Sequence, residues 1–425
     1  MLERTIPPIG GSSPKNIEIR KAEFQKLKNG IPFFVLRAGT QPVVKIEIIF
    51  GKGGNYYEHR GGQALFTNKL LNSGTASKTS EQISDLFASF GVQLEIQPSF
   101  DNSSISIYCL EKHIEDVLPL FIEILSAPIY SEEEFEREKE LQIANLRIQN
   151  KKTNILSSKA LRSALFTTSH PYGKVLNENE IASLTISDLK DFKSINLSEI
   201  EVLISGSFSD HTLEVISTTF EGELNLLGYE KQPITEEIPV VSKDRHRITV
   251  DGSVQASIRM GKRMVRKGQK DYVKNLVTNH ILGGYFGSRL MRNIREDKGL
   301  TYGIYSSIVN LEKASYLVIA ADVKSDLSDQ AIHEIHNELI ELRTNTISHD
   351  ELTRVKNHMI GTYQSELNSA FALAGKFKSI HQFGLGYEYY EEYLNTIKDI
   401  TPSDILACAN EHFKESEMNE IVVGG

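Results

Sequence analysis

Ser131-Glu-Glu-Glu-Phe-Glu-Arg-Glu-Lys139 and Ser348-His-Asp-Glu-Leu-Thr-Arg-Val-Lys356 are two versions of one opening. In each, a serine suited to cap a helix precedes carboxylates that face the positive end of the helix dipole. A long helical run follows, over residues 131–149 in the first case and 348–366 in the second. Working outward, the same order of elements precedes both runs. Ahead of the first, residues 28–37 read as a turn and an apolar strand, and residues 43–50 alternate through Val44, Ile46, Ile48 and Phe50 as a second strand. Residues 62–74 place Leu65, Phe66, Leu70 and Leu71 at helical spacing, with Gly74 as the expected cap. A helix from Ser80, alternation over 93–110 and a helix over 114–127 complete the series. Ahead of the second, a strand at 255–260, helices at 269–282 and 286–297, strands at 302–309 and 314–321 and a helix at 328–344 repeat that order.

An internal duplication explains this better than two unrelated domains. The 425 residues also exceed one ordinary core and suit two domains of about 200 residues each. The expected fold is α+β: two homologous domains, each a mainly antiparallel sheet packed against long helices, related by pseudo-symmetry. Residues 1–221 and 240–425 form the two units, and 222–239, with Gly228, Pro233 and Pro239, form the linker.

With 40% apolar and 24% charged residues the chain reads as an ordinary globular protein, and a net charge of −9 argues against a nucleic-acid partner. The first twenty residues carry no apolar run of signal-peptide length, and no later stretch approaches the roughly 20 apolar residues of a membrane span. Cys109 and Cys408 sit in separate patterned runs and read as buried thiols, so the expected setting is reducing and cytoplasmic.

Gly62-Gln-Ala-Leu-Phe-Thr-Asn-Lys-Leu-Leu-Asn-Ser-Gly-Thr75 resembles the zinc helix of the pitrilysin/insulinase metallopeptidases, the inverzincins, with its pattern G-x-A-H-x-x-E-H followed by G-T. Gly62, Ala64, Gly74 and Thr75 match in frame. The stretch from Phe135 resembles the helix that carries the family's third zinc ligand, and His170-Pro-Tyr-Gly173 matches a recurring family segment. Leu282-Gly-Gly-Tyr-Phe-Gly-Ser-Arg-Leu290 and Ile294-Arg-Glu-Asp-Lys-Gly-Leu-Thr-Tyr302 resemble its R-x-x-x-G-L-x-Y region. Together these segments cover most of the chain in the family's order.

At the metal the resemblance fails. Leu65 and Lys69 hold the two histidine positions, Asn68 holds the position of the general-base glutamate, and Asn145 falls where the third ligand belongs. Leucine has no lone pair to offer, an ammonium opposes a dication, and an amide has no useful basicity. The expectation is that this chain binds no zinc, and that Lys69 occupies the cation's place, hydrogen-bonded to Asn145.

The Arg/Tyr pair is kept. Arg295 falls in the last turn of a helix that Gly299 ends, and Tyr302 begins the next strand. Both are donors suited to holding a peptide carbonyl as its oxygen gains charge. The resemblance implies that the corresponding pair contacts substrate in active members, while residues alone read Arg295 as a surface ion pair with Glu296 or Asp297. Three other features carry bland readings. His333 and His336 lie on a solvated helix face without a third ligand, Gly283, Gly284 and Gly287 allow tight packing, and the acidic run 132–140 is a solvated face.

Some family members are heterodimers with zinc on one subunit and the Arg/Tyr pair on the other. The resemblance therefore implies a non-catalytic, peptide-binding subunit that offers Arg295 and Tyr302 to a zinc-bearing homologous partner, with an extended or unfolded peptide as ligand. A structural or assembly role without proteolysis is the alternative, and a metal site moved to His333 and His336 is the third class.

Overall fold

The computed structural model describes residues 19–224, 226–231, 238 and 243–425. The first half contains β1 (Glu23–Lys26), β2 (Pro32–Arg37), β3 (Val43–Phe50), α1 (Gln63–Lys69), α2 (Ser80–Ser89), β4 (Gln93–Pro98), β5 (Ser103–Leu110) and α3 (Ile114–Ser126). It continues through α4 (Glu132–Gln149), α5 (Thr153–Phe166), α6 (Glu178–Ser183), α7 (Ile186–Asn196), β6 (Glu199–Gly206), α8 (Asp210–Glu223) and β7 (Leu227–Gly228). The second half contains β8 (Arg245–Ile248), β9 (Gln255–Met264), α9 (Tyr272–Gly283), β10 (Thr301–Leu311), β11 (Ala314–Lys324), α10 (Ser328–Thr344) and α11 (His349–Ser365). It ends with α12 (Ala370–His381), α13 (Glu388–Asp399), α14 (Pro402–His412) and β12 (Asn419–Val423).

The first sheet runs β1-β2-β6-β3-β5-β4, with β7 also on β6, and the second runs β10-β11-β9-β12-β8. Read from the β4 and β10 edges, both follow one plan. The only parallel pair on that shared path joins the returning strand to the strand that opens the unit, β6 with β2 and β12 with β8. Every other neighbour on it is antiparallel. This is the α+β duplication that the repeated opening implies, and Ser131 and Ser348 cap α4 and α11 by accepting from Glu134 N and Glu351 N. Of the expected linker, Leu227–Gly228 extends the first sheet as β7, while residues 225, 232–237 and 239 lie outside the described residues.

Each unit covers its sheet with its own helices on one face and borrows cover for the other. Helix α5 packs against β9 and β12 of the second sheet, and α12 packs against β2 and β6 of the first. Leu161, Leu165 and Phe166 thus share a cluster with Tyr316, Ile421 and Val423, while Ala374 and Phe377 share one with Phe34 and Leu203. Tyr172, from the His-Pro-Tyr-Gly segment, is fully buried at the same junction. Its hydroxyl donates to Asp101 and accepts from Lys313 N at 3.2 Å, and Asp101 accepts from Glu312 N at 2.9 Å. The turn between β4 and β5 is thereby tied to the turn between β10 and β11.

Two expected helices change. The helix over 62–74 stops at Lys69, because the turn through Leu71 and Ser73 returns to Asn68 and Leu70 carbonyls, and Gly74 pairs with Thr79 instead of capping. The helix over 286–297 begins only near Arg289 and is π-helical over Met291–Asp297, with Lys298 N donating to Asn293 O at 3.1 Å.

Candidate functional site

Helix α1 begins at Gly62, whose φ of +94° requires glycine, and its first free N–H groups are met by Glu58. The Glu58 carboxylate accepts from Gly62 N at 3.1 Å and Ala64 N at 3.3 Å. Burial nevertheless pushes its pKa up to about 7, the two backbone bonds opposing that shift. Gln63 fixes the same corner by accepting from His59 N and Arg60 N at 3.0 and 2.8 Å.

Along the helix, the positions that the resemblance assigns to the metal have been converted into packing. Leu65 joins an apolar cluster with Phe66, Phe135 and Leu146. Asn68 is buried and its amide nitrogen donates to Gly53 O at 2.9 Å and Ala64 O at 2.7 Å. Its side-chain oxygen has no partner. The expected bond from Lys69 to Asn145 is not formed. Lys69 Nζ instead lies 2.5 Å from Glu138 Oε1, and Asn145 is exposed on α4 two turns further along. The reason is reach: Glu138 offers a carboxylate on the helix face that packs on α1, whereas an ammonium gains less from an amide. Glu138 also accepts from Gln142 Nε2 at 2.5 Å. These residues do not fit a zinc ion. No group of three or more His, Cys, Asp or Glu residues suited to a metal exists among the described residues. His336 is instead bonded to Glu420 at 3.1 Å and His333 is exposed, so the pair does not form a site.

A cavity of about 440 Å³ opens in front of this corner, lined by Glu58, Leu65, Pro98, Phe100, Lys174 and Leu176. Glu58 and Glu138 are the two residues here that the sequence does not single out. Glu138 sits two helical turns before Asn145, and that spacing is the signal that points to it.

The second candidate region is built around β10, the outer strand of its sheet. The π-helical segment is pinned from below. Arg289 makes a two-fold contact with Glu351 at 2.8 and 3.0 Å, and Asn293 donates to Glu338 at 2.7 Å. Gly299, with φ of +61°, lets the chain turn into the strand. The Arg295 guanidinium lies 4.9 Å from the centre of the Phe286 ring, a cation–π contact rather than the ion pair with Glu296 or Asp297. Tyr302 falls in a bulge. Thr301 pairs with Val323 and Ile304 with Ala321, which sets Tyr302 and Gly303 opposite the single residue Asp322 and adds one residue to β10. A bulge re-aims a side chain away from the sheet, and Tyr302 is 95% exposed. Thr301 holds the bulge by donating to Asp322 O at 2.7 Å and accepting from Gly303 N at 3.2 Å. Phe286 and Tyr305 are also exposed, so the region presents exposed rings at a sheet edge, Phe286 with a cation over it. Gly283 does serve packing, because a Cβ there would meet Ser306 at 2.6 Å.

A degenerate metal corner in the first unit and a kept Arg/Tyr edge in the second define an inactive relative of a zinc peptidase, and the chain belongs to the insulinase family of peptidases, M16. The family model described as insulinase (peptidase family M16) matches residues 34–176, and the one described as the peptidase M16 inactive domain matches 183–359. Among curated relatives, an uncharacterized zinc protease YmxG of Bacillus subtilis is 23% identical over 91% of this chain and 95% of its own. A non-peptidase homolog YmxG of Helicobacter pylori is 23% identical over 90% and 89%. Among solved structures, a peptidase M16 inactive domain from Pseudomonas fluorescens superposes with a TM-score of 0.85 at 23% identity, covering 95% of this chain and 98% of that one. A protease from Helicobacter pylori also gives 0.85, at 22% identity, over 96% and 100%.

Proposed function

We propose that this chain is the non-catalytic, peptide-binding subunit of a heterodimeric zinc peptidase, in which a homologous partner carries the metal and Arg295 and Tyr302 are supplied across the interface. The observation that carries this reading is Tyr302, a phenol turned fully outward by a bulge at the start of an outer strand. A phenol turned fully outward buries nothing within this chain, and that favours a ligand for it. The unpaired edge of β10 would take an extended peptide as an added strand, and the Arg295 guanidinium on its aromatic platform would bind a carbonyl oxygen. Zinc is assigned to the partner because Leu65, Asn68 and Lys69 offer it nothing. The reading includes a reducing, cytoplasmic setting, in keeping with the two buried thiols in separate cores. The Lys69–Glu138 ion pair, which closes the degenerate corner, favours a second reading: a structural or assembly role without peptide.

The test is to isolate the tagged chain from its own cells and assay the eluate for peptidase activity with and without a chelator. On the first reading a zinc-bearing homologue co-purifies, and Arg295→Ala or Tyr302→Phe lowers its chelator-sensitive activity at least tenfold while leaving the pair associated. If the homologue co-purifies and neither change affects activity, the structural role stands instead.

A further inference from the structure

Without including Arg295 or Tyr302, the second unit forms a cavity of about 360 Å³, open to solvent, between α9, β10, α11, α12 and α13. That volume lies in the range of metabolite-sized sites. Its chemistry is unusual for a packing void. Tyrosines dominate the wall, among them Tyr363, Tyr389 and Tyr390, and two lysines reach into it. Lys267 lies 5.1 Å from the Phe383 ring centre and 5.0 Å from that of Tyr389, and donates to Ser379 O at 2.5 Å. No carboxylate pairs with it among the described residues. Lys376 stands over Tyr363 at 5.0 Å and Tyr390 at 6.0 Å, and its ammonium pairs with Glu366. Burial, with Lys376 as a second cause, pushes the Lys267 pKa down to about 8. Two cations thus share one small space with a single carboxylate.

Two further groups are left without partners. The Tyr363 hydroxyl is buried and unbonded, in a residue only 3% exposed. The Asn279 side-chain oxygen is equally buried and unbonded, while its amide is committed to Ser306 O at 3.2 Å. Both atoms are sealed from solvent behind the wall, so what faces the cavity is its tyrosine rings and an ammonium that no carboxylate neutralises, which points to an anionic, aromatic partner.

We propose that this cavity is a binding site for an aromatic carboxylate. The carboxylate would neutralise Lys267, and the ring would lie among Tyr363, Tyr389 and Tyr390. A free aromatic acid and the C-terminal aromatic residue of a peptide share this chemistry. The site is independent of the Arg295 and Tyr302 edge and stands whether or not the subunit reading holds.

The experiment is calorimetric titration of the full chain with N-acetyltyrosine, with N-acetyltyrosinamide, and with a tripeptide ending in tyrosine as acid or amide. The acid is expected to bind at least tenfold more tightly than its amide. At pH 8 binding is expected to take up protons, seen as a heat that varies with buffer ionisation enthalpy, because an anion restores the charged form of Lys267. Lys267→Met is expected to abolish that proton uptake and weaken binding at least tenfold without lowering the melting temperature, since it removes an unneutralised charge. Tyr390→Phe, which keeps the ring, is expected to retain binding. If only the tripeptide acid binds, the ligand is a peptide end. If neither acid binds, or acid and amide bind alike, the proposal fails.

Discussion

Asn68 shows how completely one substitution has changed the requirements of its surroundings. Where a general base would need a carboxylate, the backbone now presents two carbonyl oxygens, from Gly53 and Ala64, at 2.9 and 2.7 Å from an amide nitrogen. Asn68→Asp would aim a buried anion at those oxygens. It is expected to destabilise the fold by about 2–4 kcal/mol, measured by denaturant unfolding, and to restore no activity. Glu58 gives a prediction in pH. Its folded pKa, about 7, lies above the unfolded carboxylate value, so the native state binds the extra proton between those limits. The associated stability is complete below about pH 4.5 and is lost as pH rises through 7. Glu58→Gln is expected to flatten this part of the stability profile, which melting curves from pH 4.5 to 8 would reveal. If the wild type and the variant have parallel profiles, burial does not govern that carboxyl group.

At the scale of elements, the exchanged helices bear the strongest prediction. Phe377 of α12 meets the Phe34 ring of β2 at 4.8 Å between centres. Phe377→Ala is expected to cost about 3–5 kcal/mol, and the whole chain should still unfold in one transition, because the same contact holds both units. Separate transitions for the two units would contradict this. The elements from β2 to α4 and from β9 to α11 were legible in the sequence, since alternation and helical spacing depend only on which face is buried, whereas α5–α8, β6, α12, α13 and β12 went unread. Residues 43–50 and 328–344 match β3 and α10 end to end. The partner of α5 was not legible. Its apolar face looks the same whether it covers its own sheet or the other one, and no periodicity encodes a contact between residues about a hundred positions apart. The end of α1 was misread for a similar reason: Gly74 suits a helix cap, yet its pairing with Thr79 depends on a distant segment around Ile129.

At the scale of the molecule, the family could be read from spacing, because its motif positions stay in frame after their residues have changed. The replacement partners could not. Glu138 takes Lys69 because it lies one turn past Phe135, whose ring meets Phe66 of α1 at 5.9 Å, and Asn145 is exposed. The purified chain is expected to contain well under one zinc per molecule by elemental analysis, even after incubation with the ion, and its melting temperature should be unmoved by a chelator. The central latch of Asp101, Tyr172 and the Glu312–Lys313 backbone makes a matching statement about the junction. Tyr172→Phe leaves a buried Asp101 short of a donor and is expected to lower stability by about 1–3 kcal/mol.

The traded positions of α5 and α12 also constrain how such a chain could have arisen. A half-length forebear with one sheet and one such helix would have left the back of its sheet bare, with Phe34 and Leu203, or Ile421 and Val423, open to water. Two copies facing each other across a two-fold axis would have covered both backs at once by lending each other that helix. Tandem joining of the gene would then have tied together an already obligate pair. Once the copies were joined, each was free to change alone, and the first could trade its metal chemistry for an ion pair while the second kept its exposed tyrosine.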